Sequence, residues 1–488
     1  MTTTLIANLS RYVPELIAVV TMIGALFLEA AVGKFDKAKD YIFSAAGIGL
    51  ILCLISLSKN MSLSATPIFT GAVIIDPFST MVKIIMVLGV LGSLYVAFVS
   101  KDIAENHKSE FVILAMGVLV GGMLLASANN FLTVYLGIET LSILSYVLAA
   151  LKRNDGKSTE AGIKYALYGG ITSGVMLFGM AHLYGILGTI HFSEVLESLS
   201  TLDQTKMLIL LPSFVLVFVG LGYKIACVPF HMWSPDVYEG SPIPVTTFFA
   251  IVPKIAGIAV IVRITHIFFD KSGVLQDSWV GFLQVVAILT ITLGNILAIG
   301  QKSVKRMLAY SSISHAGFML IGVLVIDQIG ISAICFYGVI YLFMTLGAFG
   351  ITSFLGDQFN SDRFGIFDGL IKSHPFMSIA MIIIMFSLGG IPPFGGFIAK
   401  YNILSASLHK GFYTLAIIAA LNSVISLYYY LRIVQSMVFK DATYEENIKG
   451  FTFINQLVML GICFPILFLG FFWEKIMITA TNAHLLVK

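Results

Sequence analysis

The sequence has 488 residues, of which 58% are hydrophobic and only 11% are charged, whereas an average soluble domain is roughly 45–50% apolar and about 25% charged. This composition excludes a soluble globular protein, because a water-soluble fold of this size could not bury so much apolar surface. The net charge of +3, without basic runs interleaved with aromatic residues, excludes a nucleic-acid-binding protein.

Apolar runs separated by polar breaks predict about fourteen transmembrane helices, since the runs repeatedly reach the roughly 20 residues that cross a bilayer. Backbone groups cannot stay unpaired in hydrocarbon, and the runs lack the alternation of barrel strands, so we expect an all-α polytopic membrane protein. The predicted spans, numbered 1 to 14, are 12–31, 41–58, 77–99, 110–127, 130–150, 161–188, 207–228, 244–268, 278–299, 305–326, 331–354, 374–404, 412–437 and 454–473.

Lysine and arginine are concentrated in the connections that follow odd-numbered spans. The positive-inside rule therefore predicts these connections in the cytoplasm and both termini outside. The first apolar run is interrupted by Glu15 and lacks a cleavage site, so we expect an uncleaved first span. Nearly all connections are short, which predicts one membrane domain over residues 1–488. The basic residues concerned are Lys34, Lys37, Lys39, Lys101, Lys108, Lys152, Arg153, Lys157, Lys302, Lys305, Arg306, Arg363, Lys372, Lys440 and Lys449, against Lys59, Lys206, Lys271 and Lys410 on the other side.

Spans 7 and 12 each contain a cluster of glycine and proline in mid-membrane. Pro229 follows a glycine-containing turn in span 7, and Pro392 and Pro393 lie between two glycine pairs in span 12. Proline removes a backbone donor and glycine lets the helix unwind, so both spans should be discontinuous. Matching breaks in two halves of a chain indicate internal repeats with an ion pathway between them. The repeats would comprise spans 4–8 and 9–13.

Four lysines inside predicted spans are candidates, because each charge there costs about 2.5–3.5 kcal/mol and needs a partner, water or a function. Lys224 lies just before the break in span 7, and backbone carbonyls freed there could solvate it. Lys254 lies in the middle of span 8, and Lys400 follows the break in span 12. Snorkelling to the membrane surface is the structural alternative, and it is hardest from Lys254.

Glu139 is the only acidic residue well inside spans 4–8. A carboxyl group in this setting either forms hydrogen bonds as a neutral acid or pairs with a buried lysine, for which Lys224 is the candidate. Such a pair could act as a proton switch, or it could be a static ion pair.

The fourth lysine, Lys164, and two further residues are secondary candidates. Lys164 lies early in span 6, close to the cytoplasmic side. His315 in span 10 has serines near it in the sequence. This histidine could be part of a proton relay or a core residue. Arg432 in span 13 could gate an outer half-channel or anchor the helix at the interface, and its permanent charge argues against proton transfer. Residues nearer span ends or in the added helices rank lower: Glu15, Glu29, Asp76, His231 and His266.

No feature of the sequence predicts a metal or a cofactor in this chain. The sequence lacks glycine-rich nucleotide loops and the HExxH motif. Its four cysteines lie far apart within apolar runs, without the close spacing of iron–sulfur or zinc sites; they are Cys53, Cys227, Cys335 and Cys463.

Three motifs resemble those of the antiporter-like membrane subunits of respiratory complex I, the NADH:quinone oxidoreductase. The motifs are KIACVPFHMWSPDVYEGSPIPV at 224–245, AYSSISHAG at 309–317 and GGIPPFGGFIAK at 389–400. The resemblance covers essentially the whole chain. Multisubunit sodium/proton antiporters share these motifs.

The resemblance implies two inverted five-helix repeats, at 106–270 and 271–440, each with a broken helix. Residues 1–105 would add three helices and residues 441–488 a last one. Glu139 would be the acid of span 5, Lys224 its partner, Lys254 the central relay and Lys400 the residue near the exit, with Lys164 and His315 along the same axis.

The resemblance also implies a role in a larger assembly. The chain would be a proton-translocating, non-redox subunit in a bacterial inner membrane, among the other membrane subunits of the complex. FMN, iron–sulfur clusters and quinone would be bound by partner subunits. Two alternatives stay open at this point: a subunit of a sodium/proton antiporter, and a scaffold whose buried charges are only structural.

Overall fold

The computed structural model describes residues 8–33, 38–61, 64–200, 202, 204–269, 274–442 and 450–481, and nearly all of them are helical. Within these ranges the only sheet is one antiparallel hairpin of β1 (Thr66–Ile68) and β2 (Val73–Ile75). Several residues used for the topology prediction lie outside the described part of the chain, namely Lys34, Lys37, Lys271 and Lys449.

The helices follow one another with short connections. The first group comprises α1 (Val13–Val32), α2 (Ala38–Asn60), α3 (Pro77–Val99), α4 (Lys108–Ala126), α5 (Phe131–Ala149), α6 (Gly156–Leu187), α7 (Phe192–Ser200), α8 (Gln204–Ile225), α9 (Trp233–Gly240) and α10 (Ile243–Phe269). The second group comprises α11 (Val274–Ile299), α12 (Val304–Leu324), α13 (Gln328–Phe359), α14 (Leu370–Ser373), α15 (Pro375–Gly389), α16 (Gly395–His409), α17 (Tyr413–Phe439), α18 (Phe453–Phe471) and α19 (Glu474–Thr481). Single 3₁₀ turns occur at Glu105–His107 and Phe364–Phe367.

Twelve helices in the described residues are long and apolar enough to cross a membrane. The other two predicted spans, 7 and 12, are those that the structure interrupts: α8 gives way to α9, and α15 gives way to α16. Both predicted breaks are thus confirmed, whereas the inverted-repeat relationship stays a prediction. The prediction did not include the hairpin, α7 and α19, and α6 and α13 are longer than predicted, at 32 residues each.

Glycine is required at the second break for steric reasons. Gly390 directly follows α15 and adopts a φ of +83°, a left-handed conformation that is unfavourable for residues with a Cβ atom. A Cβ atom at Gly396 would lie 1.8 Å from the backbone oxygen of Ser387. The two half-helices α15 and α16 can therefore approach closely only because no side chain stands between them.

The most enclosed helices are α10 and α12, whose apolar stretches are entirely buried within the protein. Helix α10 packs against α3, α4, α8, α12 and α13. By contrast, less than half of the apolar stretches of α6, α17 and α18 is buried. The charged residues of α10 are therefore held in the interior by other helices rather than by lipid.

Candidate functional site

Lys224 lies in the last turn of helix α8 and is surrounded by aromatic rings. It is 1% exposed, and its Nζ atom lies 5.3 Å from the ring centroid of Tyr165, 5.9 Å from that of Tyr146 and 6.0 Å from that of Tyr223. Its ammonium has no hydrogen-bond partner within the described residues. The prediction that freed backbone carbonyls solvate Lys224 is therefore wrong, because the faces of three aromatic rings take that place.

Glu139 lies on α5, half-buried, and accepts a hydrogen bond from the hydroxyl of Ser173 on α6. It forms no ion pair with Lys224, whose ammonium has no hydrogen-bond partner within the described residues. Along α5, Glu139 shares a stripe with Leu132, Leu136 and Ile143, whose side chains are 54%, 49% and 55% exposed. Residues at this spacing lie on one face of a helix. The carboxyl group therefore lies towards the outer surface of this chain.

Lys254 lies in the centre of α10, next to Pro253, and is 1% exposed. It donates a hydrogen bond to the hydroxyl of Ser312 on α12. Ser312 in turn is 2.8 Å from the hydroxyl of Tyr341 on α13. The Nζ atom also lies 5.7 Å from the ring centroid of Tyr238 on α9. Lys254 thus begins a chain of hydroxyl groups that leads to α13.

His315 connects helices α12, α13 and α17. Its Nδ1 atom is 2.6 Å from the hydroxyl of Tyr337, and its Nε2 atom is 3.1 Å from that of Tyr430. Tyr430 also shares a hydrogen bond with Ser311. Since a neutral imidazole carries one donor and one acceptor nitrogen, it can accept from one tyrosine and donate to the other. The sequence indicated serines around His315, but the two tyrosines were missed.

The sequence contains a weak indication of two tyrosines of this site, Tyr337 and Tyr341. Tyr337 and Tyr341 are four residues apart in an apolar span, so they lie on the same face of α13. The ring of His315 lies 5.2 Å from that of Tyr341, centroid to centroid. A polar pair at helical spacing within a membrane span points to the helix face that carries a polar path. Tyr430, by contrast, comes from a distant helix and had no comparable signal.

Lys400 lies near the start of α16 and is 5% exposed. Its ammonium donates to the backbone oxygen of Gly389, at 2.9 Å, and to the hydroxyl of Ser423 on α17, at 3.0 Å. Gly389 is the last residue of α15, where carbonyl groups lack partners within their own helix. The break in span 12 thus supplies a hydrogen-bond acceptor for the ammonium of Lys400. The Nζ atom also lies 5.2 Å from the ring centroid of Phe318 on α12.

Two of the predicted residues, Lys164 and Arg432, lie away from the buried lysines and His315. The side chain of Lys164 is 36% exposed and pairs with Glu160 at 2.7 Å and Asp236 at 2.8 Å. Arg432 stacks on Phe364, 3.9 Å from the ring centroid. It donates to the backbone oxygens of Ile299, the last residue of α11, and of Gln301 in the connection that follows. That connection is on the lysine-rich side, so these contacts support the anchoring role of Arg432 rather than an outer half-channel.

Two other buried cations are paired with carboxylates. Lys83 on α3 pairs with Glu15 on α1, and both side chains are at most 2% exposed. Arg263 on α10 pairs with Asp76 at 2.9 Å, with 1% and 0% exposed. The sequence analysis ranked the two acids low and missed both cations, although each cation interrupts an apolar run.

Comparison with known proteins agrees with the sequence motifs and the fold. Residues 128–426 match the family described as NADH:quinone oxidoreductase/Mrp antiporter, TM. NADH-quinone oxidoreductase subunit N of Bartonella bacilliformis is 38% identical over 97% of this chain and 96% of its own length. The chloroplastic NAD(P)H-quinone oxidoreductase subunit 2 of Chaetosphaeridium globosum is 37% identical over 92% of this chain and 90% of its own.

Solved structures show the same architecture. A chain of respiratory complex I from Thermus thermophilus superposes with a TM-score of 0.81 at 27% identity, covering 96% of this chain and all of that one. The Mrp complex of Dietzia sp. contains a chain with a TM-score of 0.84 at 22% identity, with 97% of each chain covered, which shows a common fold. This chain therefore belongs to the family of antiporter-like membrane subunits found in NADH:quinone oxidoreductases and Mrp antiporters, and it resembles subunit N over nearly its whole length.

Proposed function

We propose that this chain is subunit N of an NADH:quinone oxidoreductase and conducts protons along a line formed by Glu139, Lys224, Lys254, His315 and Lys400. Its partners are the other membrane subunits of the complex. NADH oxidation and quinone reduction take place in other subunits, which hold FMN, iron–sulfur clusters and quinone, and drive this subunit at a distance. The proposed location is a bacterial inner membrane, with both termini on the periplasmic side.

The observation that carries the proposal is the difference between two sets of buried cations. Lys83 and Arg263 each contact a carboxylate, as expected for charges with a structural role. Lys224, Lys254 and Lys400 are also buried, but their contacts are aromatic rings, hydroxyl groups and a carbonyl. A lysine without a counter-ion can lose its proton without leaving an unpaired carboxylate behind. This contrast argues against the scaffold alternative.

The contacts allow a proton to move between neighbouring groups. Hydroxyl and imidazole groups both donate and accept hydrogen bonds, so the proton of Lys254 can pass to Ser312 while Ser312 donates to Tyr341. The ring of His315 lies 5.2 Å from that of Tyr341, centroid to centroid. His315 exchanges protons on one nitrogen with Tyr337 and on the other with Tyr430.

The ends of the line differ in character. Glu139 lies at the protein edge, where a carboxyl group of a neighbouring subunit or water can exchange protons with it. The charge of Glu139 changes the free energy of protonating Lys224, because Coulomb interactions are strong in a medium of low dielectric constant. Lys400 lies against the break in span 12, where Ser423 gives it a hydroxyl neighbour. A proton gained at one end therefore disfavours protons farther along the line.

NADH-driven proton pumping tests the proposal in membrane vesicles that carry Lys254→Met or Glu139→Gln. We expect pumping to be lost while the complex assembles normally. Lys410→Met is the matched control, because Lys410 is 41% exposed and pairs with Asp327 at the surface. Normal pumping by both variants in a normally assembled complex would show that the line carries no protons.

The antiporter alternative shares the family match and predicts a different assembly. Purification of the chain in mild detergent distinguishes the two. Flavin and iron–sulfur proteins should be recovered with it if the chain is subunit N. Their absence, with cation/proton exchange activity retained, would favour the antiporter.

A further inference from the structure

A groove on one side of the protein is formed by α2, α3, α13 and α18. One lobe lies between α3, α13 and α18. A second lobe lies between α2, α3 and α13. Both lobes are lined by Gly92, Tyr95, Leu346 and Val458, so these residues form the partition between them.

The polar residues of both lobes lie at the same end. Ser100, Ser353 and Asp357 line the first lobe, and Asp40 lines the second. Along α3, the first lobe extends over residues 92–100 and the second over residues 88–98, which correspond to rises of about 12 and about 15 Å. One leaflet of a bilayer has a hydrocarbon depth of about 15 Å. The groove is thus as deep as one leaflet, with its polar end at the membrane surface on the lysine-rich side.

The polar end is suited to a cation. Asp357 accepts hydrogen bonds from the backbone N–H of Lys101, at 2.8 Å, and from the hydroxyl of Ser100, at 3.3 Å. Within the described residues it forms no ion pair with a lysine or arginine side chain, and neither does Asp40. The side chain of Lys101 is exposed beside it. A half-buried carboxylate next to an exposed ammonium complements a zwitterionic group.

We infer that this groove binds one two-chain glycerophospholipid with a primary-amine headgroup. Each acyl chain occupies one lobe, on either side of the partition that Tyr95 forms with its hydrogen bond to Asn455 of 2.7 Å. The lipid ammonium donates to the carboxylate of Asp357, and its phosphate lies near Lys101. The lipid would link α2, α3, α13 and α18, which places it between the N-terminal helices and the second unit of the chain.

Photolabelling of the intact complex tests this inference. The complex is reconstituted in vesicles with a trace of phosphatidylethanolamine or phosphatidylcholine, both carrying the same photoactivatable acyl chains, and labelled peptides are mapped by mass spectrometry. A trimethylated ammonium cannot donate a hydrogen bond to a carboxylate. We therefore expect the amine lipid to label α13 and α18 about tenfold more than the choline lipid.

Two variants separate the acyl lobes from the headgroup site. Gly350→Leu projects into the first lobe, since a Cβ atom there meets nothing closer than 3.8 Å, and it should abolish selective labelling. Gly461→Leu on α18 is the matched control, because Gly461 has open space around it and lies outside the groove. Asp357→Asn keeps the side-chain volume and should remove the preference for the amine lipid.

Three results would overturn the inference. One is equal labelling by the two lipids in the unmodified complex, and another is unchanged selective labelling in Gly350→Leu. The third is the absence of any groove labelling in the assembled complex, which would mean that a helix of another subunit fills the groove. NADH-driven pumping, measured on the same vesicles, reports separately on the proposed function.

Discussion

Replacing Asp76 with asparagine should lower the free energy of unfolding by about 3–5 kcal/mol, the usual cost of removing one partner of a buried ion pair. Asp76 precedes α3 and Arg263 lies on α10, with side chains 0% and 1% exposed. The guanidinium donates to the two carboxylate oxygens at 2.9 and 3.3 Å and to the backbone oxygen of Ala126 at 3.0 Å. Without the carboxylate, its charge stays buried and uncompensated.

Asparagine separates the ion pair from the helix cap. The Oδ1 atom of Asp76 accepts a hydrogen bond from the backbone N–H of Ser79, at 2.7 Å, and so caps α3. An asparagine oxygen preserves this cap, whereas Asp76→Ala removes it and should cost about 1 kcal/mol more. The loss in Asp76→Asn therefore measures mainly the charge.

Equilibrium unfolding in mixed micelles of a non-ionic detergent and dodecyl sulfate, followed by circular dichroism, measures this loss. In the double variant Asp76→Asn/Arg263→Gln the buried charge is absent, so part of the stability should return, with a coupling energy of at least about 1 kcal/mol. A change below about 0.5 kcal/mol in Asp76→Asn, or strict additivity of the two substitutions, would refute this reasoning.

Three further outcomes are expected. Lys400→Arg keeps the charge but cannot release the proton, so NADH-driven pumping should stop while assembly is retained. Tyr430→Phe removes a hydroxyl group from the relay and should slow pumping at least about tenfold. Burial alone would raise the pKa of Asp102, but Lys305 and Lys152 outweigh it, so the pKa lies below its ordinary value. The stabilisation is therefore present above about pH 4 and lost as the pH falls through the folded-state pKa, which thermal melts of Asp102→Asn between pH 7 and 3 can check.

Two of these outcomes have a control on the same chain. Tyr428→Phe makes the same change on the same helix at a side chain that is 60% exposed, and it should leave pumping unchanged. Asp441→Asn removes a carboxylate at the surface that pairs with Lys372. Rapid pumping by Lys400→Arg would exclude proton release by Lys400. A stability difference for Asp102→Asn that persists unchanged at pH 3 would contradict the assigned pKa direction.

Features with a local cause were predictable from the sequence. A bilayer needs about 20 apolar residues to be crossed, and the length of each apolar run is visible without any tertiary information. The breaks at Pro229 and at Pro392 were equally local, because proline and glycine change the backbone at their own positions. The short helix α19 and the hairpin were missed because they are neither long nor strongly apolar.

The partners of the buried charges were decided by tertiary structure. Lys83 and Lys254 both interrupt apolar runs and look alike in the sequence. Helix packing places Glu15 beside Lys83 and a serine from a helix 58 residues away beside Lys254. The same holds for His315, whose tyrosine contact on α17 is 115 residues distant. The sequence alone determined that charged residues lie within the membrane-spanning helices. Only the packing of helices decided which charged side chains are paired with a carboxylate and which contact hydroxyl groups instead. The reason is that side chains far apart in the chain become neighbours only when the helices pack.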